Sequence, residues 1–234
     1  MAGAYVFDNL YNFRDLGGLG AVRPRRLYRS DSVAHASAGD ADALVDRYGL
    51  ATVVDLRGDR EIGRYGRGPL TDAAVDYLPV PVTDLERYDD RPGYYVGVLA
   101  ERGDPIAATI RRLTVPGALP ALIHCEAGCD RTGILTAIVL DLVGVPDDEI
   151  CADFAATAAA TERINERTIR NAAAHGEVWP RPDDRDGLDW QPTADMMVTT
   201  LTRMRERWGS GEGWARAYGL TGADLAALRA ALTA

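Results

Sequence analysis

The alternation of apolar and polar positions along the chain predicts strands and helices in turn. Residues 38–48 carry apolar side chains at helical spacing and stop at Gly49, and residues 51–56 follow as a short apolar strand. Residues 75–82 and Ala121–His124 are further apolar runs of strand length. The pattern therefore predicts short strands separated by helical segments.

Helical spacing dominates the second half of the chain. Residues 105–113 form a predicted helix with Asp104 as its cap, and residues 132–143 are apolar on nearly every face, as in a central buried helix. Further helices are predicted over residues 149–171, 194–207 and 222–232. Irregular segments are predicted at residues 84–93 and 179–192.

Strands that alternate with helices and are followed by a helical tail define the expected fold. We predict an α/β protein with a central, mainly parallel β-sheet flanked by helices and an α-helical C-terminal part. Residues 1–234 are expected to form a single domain. In such folds, ligands bind at the carboxyl ends of the strands, where the loop after Ala121–His124 lies.

Composition and charge exclude several classes of function. All 26 basic residues are Arg, and the sequence contains no Lys. This excludes a Walker-type phosphate lysine, a Schiff base with pyridoxal phosphate and a lysine base. The net charge of −9 argues against broad electrostatic binding of nucleic acid or anionic membranes, so local groups must hold an anionic substrate.

Cysteine usage indicates a reducing compartment. The number of cysteines is odd and two of them share one loop, which does not resemble a disulfide framework. Residues 1–10 lack the features of a signal peptide, and the most apolar segment, residues 134–145, is short and carries Asp141. We expect a cytoplasmic protein without a membrane span, whose oligomeric state the sequence leaves open.

The loop that follows Ala121–His124 carries the candidate chemistry. From His124 to Gly133 it reads His-Cys-Glu-Ala-Gly-Cys-Asp-Arg-Thr-Gly. If this phosphate-binding loop wraps at the amino end of the next helix, its backbone N–H groups and the helix dipole converge on one anion. The same field favours the thiolate of Cys125, the predicted nucleophile. The predicted substrate-binding positions are Glu126, Ala127, Gly128, Cys129 and Gly133.

Three side chains near Cys125 have predicted roles. Arg131 returns to the pocket, where its planar fork suits two phosphoryl oxygens. Thr132 can donate its hydroxyl to the Cys125 sulfur when the thiolate leaves a phosphocysteine. His124 is expected to fix the loop geometry rather than to react.

Two other interpretations of these cysteines are open. His124, Cys125 and Cys129 can be half of a zinc site, although zinc needs four well-spaced ligands and the other Cys and His residues lie in unrelated contexts. Cys125 can also be an inert buried thiol, as we expect for Cys151. We predict no metal and no cofactor.

Residues 125–132 fit the Cys-x5-Arg-Ser/Thr signature of the protein tyrosine phosphatase superfamily. Residues 12–18, 27–30 and 54–57, with Glu61, resemble the bacterial tyrosine/serine protein phosphatases of the mycobacterial phosphatase B type. The resemblance covers nearly the whole chain and implies metal-free hydrolysis of phosphomonoesters through phosphocysteine. It also implies substrates such as protein phosphotyrosine, phosphoserine (dual specificity) or phosphoinositides.

The leaving oxygen needs a proton, and three places compete for the role of general acid. The Asp-Arg-Thr order resembles phosphatase B and the myotubularin-type phosphoinositide phosphatases, which implies Asp130. Asp84, Asp89 and Asp90 lie upstream in a charged segment where a mobile acid loop can sit. The third place is the stretch after Trp179, with Asp183 and Asp184. Asp55 is a further alternative, although its position at a strand end favours a bracing role.

Charged residues near the strand ends are expected to brace the loop. This set comprises Asp55, Arg57, Arg14 and Asp15. The stretch that begins with Trp179 superficially resembles the acid loop of the larger tyrosine phosphatases, but it follows the nucleophile instead of preceding it. We expect that stretch to be a surface turn.

Protein phosphotyrosine is the expected substrate. Related phosphoinositide phosphatases often carry Lys where this chain has Cys129, and Glu126 adds a negative charge. Both features disfavour highly phosphorylated lipids as substrates, unless arginines elsewhere supply the missing positive charge. The arginines that can do so are Arg57, Arg60, Arg64 and Arg67. The alternatives are a small-metabolite phosphatase or a phosphoinositide or inositol-phosphate phosphatase. From a different class, they are a phosphate-binding module without turnover or a sulfur-transfer protein.

Overall fold

The computed structural model describes residues 5–82, 88–179 and 191–233. The strands are β1 Arg14–Asp15, β2 Leu27–Ser30, β3 Thr52–Asp55, β4 Asp76–Pro79 and β5 Ala121–His124. They form one sheet in the order β1-β2-β5-β3-β4, in which only β1 runs antiparallel to its neighbour. The predicted, mainly parallel sheet is confirmed.

The register places three strand ends side by side. Ser30 and Asp55 both stand opposite His124, at the carboxyl ends of β2, β3 and β5. The chain segments that leave these strands therefore meet at one edge of the sheet, where α/β folds bind ligands.

Helices surround the sheet. They are α1 Ala38–Asp42, α2 Asp59–Tyr65, α3 Arg91–Glu101, α4 Gly103–Leu113, α5 Asp130–Leu142, α6 Asp147–Ala156, α7 Ala158–Ala174, α8 Ala194–Trp208, α9 Gly211–Ala217 and α10 Gly222–Leu232. A π-helical turn at Ala43–Arg47 continues α1. No helix in the described ranges is both long and apolar enough to cross a membrane.

Both faces of the sheet are covered. Side chains alternate across a strand, so Val54 and Ile123 pack into the larger core cluster with α5, whereas Val53 and Leu122 pack into a smaller cluster on the other face. Nearly every residue of α5 is buried, as predicted for a central helix. Helices α6 to α10 form the predicted helical C-terminal part.

Helix α3 was not predicted from the sequence, and its first three residues fall in the segment predicted to be irregular. Asp90 caps it by accepting a hydrogen bond from the Gly93 amide at 2.7 Å. Pro92 stands in the first turn, where a missing N–H costs nothing. The Pro and Gly that indicate a loop in the sequence are therefore compatible with a helix start.

Two other helical predictions need correction. Helix α4 begins at Gly103, so Asp104 lies inside the first turn and Arg102 occupies the cap position. The helix predicted over residues 149–171 is two helices, α6 and α7. They meet at Thr157, whose amide bonds the Phe154 carbonyl in a tighter turn.

Candidate active site

The loop between β5 and α5 begins at Cys125, whose exposure is 2%. Helix α5 starts at Asp130 and is 13 residues long. Its amino end, with the partial positive charge of its free N–H groups, therefore lies directly after the loop.

The carbonyl groups of the loop are held from outside. The carbonyl of residue 126 accepts a hydrogen bond from the Ser32 amide at 3.0 Å. The carbonyl of residue 127 accepts one from Asn12 Nδ2 at 3.1 Å, and that of residue 128 accepts one from Arg29 Nη2 at 2.8 Å. Asn12 Nδ2 also reaches the third carbonyl at 3.0 Å. These contacts fix three consecutive peptide units.

The orientation of these peptide units determines the inner surface of the loop. In a trans peptide the C=O and the following N–H point in opposite directions. The N–H groups of residues 127–129 therefore face away from the braces, and within the described residues they donate no hydrogen bond. A row of free amides in this arrangement is an anion-binding concavity.

The braces are themselves buried and paired. Asp153 binds Arg29 at 2.5 Å and Arg14 at 2.6 Å. Burial opposes its ionisation, but these two guanidinium groups outweigh that effect and lower the pKa of Asp153. Asp15, in contrast, caps its own turn through the Gly17 amide and does not brace the loop.

Glycine is required at one position of the loop, Gly128, and at Gly133 in the first turn of α5. Gly128 has a φ of +67°, and a Cβ there would lie 2.3 Å from the Ser30 carbonyl oxygen. Gly133 lies against Phe154, whose ring would be 2.8 Å from a Cβ. Any side chain at either position would push the loop or α5 out of place.

Thr132 is completely buried beside the loop. Its hydroxyl has no hydrogen-bond partner among the described residues. A buried hydroxyl without a partner costs free energy unless another group supplies one. The Thr132 hydroxyl is therefore available to form a hydrogen bond next to the loop.

Arg131 is oriented by Glu61 of α2. Its Nη1 and Nη2 donate to the two Glu61 oxygens at 2.6 and 2.8 Å. Burial alone would lower the pKa of Arg131, but the Glu61 carboxylate more than offsets this and raises it. Both terminal nitrogens are held by one carboxylate, which fixes the plane of the guanidinium.

Asp130 is held from α3. The Tyr95 hydroxyl donates to its Oδ1 at 2.5 Å, and Arg91 Nη1 lies 3.5 Å from the same oxygen. The Asp130 side chain is 25% exposed, so the group at the first position of α5 is accessible.

His124, Asp55 and Arg57 form a buried set beneath the loop. Arg57 donates to both Asp55 oxygens, with Nη2 at 2.8 Å, and also to the Gly66 carbonyl. Burial opposes ionisation of Asp55, but His124 and the bonds from Arg57 outweigh it and lower its pKa to about 2. Asp55 therefore stays ionised and holds Arg57 beneath the loop.

Glu126 and Cys129 face different surroundings. The Glu126 carboxylate lies 2.6 Å from His35 Nε2, and although burial opposes ionisation, this contact lowers the pKa of Glu126. Burial raises the pKa of Cys129, and the neighbouring Asp130 adds to the effect. Cys129 therefore remains a neutral thiol.

The remaining candidate residues that the structure describes have their contacts away from the loop. Asp90 caps α3 and pairs with Arg203, whose hydrogen bonds lower the pKa of that carboxyl. Asp84 and most of the stretch after Trp179 lie outside the described residues. Arg60 and Arg64 contact Glu177, while Arg67 stacks over the Tyr77 ring at 3.7 Å.

Six residues of the site were given no role from sequence. Asn12, Arg29 and Glu61 appear there only within family motifs. Asp153, Arg91 and Tyr95 come from helices α6 and α3, and they reach the site only because these helices pack around the loop. For α3 the one available signal is the Asp90-Arg91-Pro92 helix start.

A loop of free amides that opens at a buried cysteine, with an arginine at the start of the following helix, is the arrangement of a cysteine-dependent phosphatase. Comparison with known proteins defines the class further. The profile described as the tyrosine phosphatase family matches residues 5–234. The chain belongs to this family, and it is a cysteine-dependent phosphatase.

Individual relatives cover most of the chain. It is 27% identical to the triple specificity protein phosphatase PtpB of Mycobacterium tuberculosis, over 95% of this chain and 96% of the relative. It is also 27% identical to a tyrosine-protein phosphatase of Nostoc commune, over 91% and 76% respectively. Among solved structures, the Siw14 catalytic core aligns at 14% identity with a TM-score of 0.48, over 90% of this chain and 97% of that one.

Proposed function

We propose that this phosphatase hydrolyses phosphotyrosine side chains of proteins, with Cys125 as the nucleophile, Arg131 as the phosphoryl ligand and Asp130 as the general acid. One observation carries the proposal. The carbonyls of the loop accept hydrogen bonds from residues outside it, and the amides of residues 127–129 are left to bind an anion. A phosphoryl group needs several converging donors, and this loop supplies them beside Cys125.

The reaction has two halves. The Cys125 sulfur attacks phosphorus, the S–P bond forms, the ester P–O bond breaks, and Asp130 gives its proton to the leaving oxygen. Water then attacks phosphorus, Asp130 takes a proton from it, and the S–P bond breaks. The buried Thr132 hydroxyl, which has no other partner among the described residues, can stabilise the departing thiolate.

The charges near the loop support a substrate with a single phosphoryl group. Arg57, Arg64 and Arg67 are engaged with Asp55, Glu177 and the Tyr77 ring. Glu126 adds a negative charge at the loop. A polyphosphorylated headgroup would meet little compensating charge there.

Substitution of the nucleophile tests the chemistry. We expect Cys125→Ser to reduce hydrolysis of para-nitrophenyl phosphate by more than about 10³-fold, because an uncharged hydroxyl is a poor nucleophile. Acid quenching of the wild-type reaction should trap a phosphocysteine. Hydrolysis by Cys125→Ser at the wild-type rate would rule out the proposed mechanism.

A substrate panel tests the specificity. It compares phosphotyrosine, phosphoserine and phosphothreonine peptides, since one relative is named for triple specificity, with inositol phosphates and small phosphate esters. We expect the highest kcat/KM for phosphotyrosine peptides. A metabolite well ahead of all peptides would reject the proposed substrate class while leaving the chemistry intact.

The site also supports a reducing location. Cys125, Cys129 and Cys151 are all free and buried. A cysteine nucleophile must stay reduced to act, so we place the protein in the cytoplasm.

A further inference from the structure

We infer that Tyr95 is a positioning residue for the general acid: its hydroxyl holds Asp130 Oδ1, so that Oδ2 presents the proton to the leaving oxygen. The inference rests on the proposed function, in which Asp130 is that acid. It assigns a role in the reaction to helix α3, which supplies no group to the loop itself.

The direction of the hydrogen bond is determined by the tyrosine. Tyr95 is completely buried, and its hydroxyl lies 2.5 Å from Asp130 Oδ1. Burial raises the pKa of Tyr95, and the Asp130 charge raises it further, so the phenol keeps its proton. The hydroxyl is therefore the donor and Oδ1 the acceptor, and the transferable proton of a protonated Asp130 is carried by Oδ2.

Tyr95 itself cannot easily move. Its ring packs edge-on against Phe154 of α6, with 5.8 Å between ring centroids. The amino end of α3 is held by the Asp90–Arg203 ion pair, and Trp214 Nε1 donates to the Leu99 carbonyl at 2.9 Å near the other end. A rigid donor restricts the carboxyl rotation that an isolated Asp would have.

The charge left after proton transfer also has a counterpart. When Asp130 releases its proton, it becomes a carboxylate 3.5 Å from the Arg91 guanidinium. Tyr95 and Arg91 are one helical turn apart on α3, so both reach the same oxygen. The free oxygen is thereby left for the substrate in both halves of the reaction.

A buried tyrosine usually has a hydrogen-bond partner. A purely structural role of Tyr95 must therefore be distinguished from its role in positioning Asp130. Tyr218 provides the matched case, since its hydroxyl donates to the Ala100 carbonyl at 2.7 Å, near the far end of the same helix. Tyr95→Phe and Tyr218→Phe each remove one hydroxyl that contacts α3 or its surroundings. Only the first removes a contact to Asp130.

The decisive experiment compares two leaving groups. For Tyr95→Phe we expect kcat/KM to fall about tenfold with phenyl phosphate, whose weakly acidic phenol needs a proton, and less than about twofold with para-nitrophenyl phosphate. The inhibition constant of inorganic phosphate should stay unchanged. Tyr218→Phe should show no dependence on the leaving group. Equal losses with both esters, or no loss, would overturn the inference.

A second comparison separates this inference from the proposed function. If Asp130→Asn shows a large loss confined to phenyl phosphate, Asp130 is the acid; if it does not, the proposed acid is wrong whatever Tyr95 does. In the Asp130→Asn background, Tyr95→Phe should have no further effect, because the proton it positions is gone. A full additional tenfold loss in the double variant would contradict the positioning role.

Discussion

The loop is held by two groups of contacts that differ in depth. The inner braces, Asn12, Arg29, Asp55, Arg57 and Asp153, are buried and hold backbone or one another. The outer pairs, Glu61 with Arg131 and Tyr95 with Asp130, hold the proposed phosphoryl ligand and the proposed general acid, which are 15% and 25% exposed. The inner braces shape the loop, whereas the outer pairs orient these two side chains.

This difference in depth predicts a difference in the effect of substitutions. A buried charge without its partner is expensive, so changes to the inner braces should reduce stability. A partly exposed pair contributes little to stability but can fix an orientation that the reaction needs. Substitutions in the inner braces should therefore lower the free energy of unfolding, whereas substitutions in the outer pairs should lower the reaction rate.

The largest expected effect is that of Asp153→Asn on stability. The substitution removes the charge that pairs with the buried Arg29, whose side chain is 1% exposed, and with the half-buried Arg14. We expect the free energy of unfolding in urea to fall by about 3 kcal/mol. The control is Asp147→Asn in the same helix, whose pair with Arg205 is half exposed. A loss under about 1 kcal/mol for Asp153→Asn would show that burial does not make the inner braces more important for stability than the outer pairs.

Acid should weaken a second inner brace. The pKa of Asp55 is about 2, against an ordinary value of 3.8. A depressed pKa stabilises the fold above the ordinary value, and this stabilisation, about 2 kcal/mol, is lost as the pH falls towards 2. Urea unfolding of wild type and Asp55→Asn between about pH 5 and pH 2 measures it. The difference between the two proteins should shrink on acidification; a constant difference would contradict the assignment.

The smallest expected effect on stability is that of a substitution in an outer pair. Glu61→Gln removes the charge that holds Arg131 through two hydrogen bonds. We expect kcat/KM to fall about tenfold with good and poor leaving groups alike, because in the proposed mechanism Arg131 binds the phosphoryl group in both cases. The free energy of unfolding should change by less than about 1 kcal/mol.

Glu177→Gln is the matched control for Glu61→Gln. Glu177 pairs with Arg64 on the same helix, α2, but not with the loop. Its substitution should leave kcat/KM unchanged. If Glu61→Gln instead showed a loss restricted to poor leaving groups, Glu61 would be acting through Asp130 rather than through Arg131.

Predictions from sequence succeeded where information is local. The strand Ala121–His124 and the helix Gly222–Leu232 have the predicted bounds, because apolar runs, turns and caps specify them within a few residues. Helix α3 was missed, since Pro92 and Gly93 are turn-forming residues that a first helical turn also accepts. Local signals that serve two structures cannot choose between them.

The sequence by itself determined the strand-loop-helix unit and the chemical identity of its loop, because Cys125, Arg131 and Thr132 lie close together in the chain and share one motif. Only the tertiary structure decided which side chains hold that loop. Asn12, Asp153, Glu61 and Tyr95 are far from it in sequence, and packing of separate elements around the sheet brings them into contact. Such contacts depend on distances in space, which no local pattern of residues encodes.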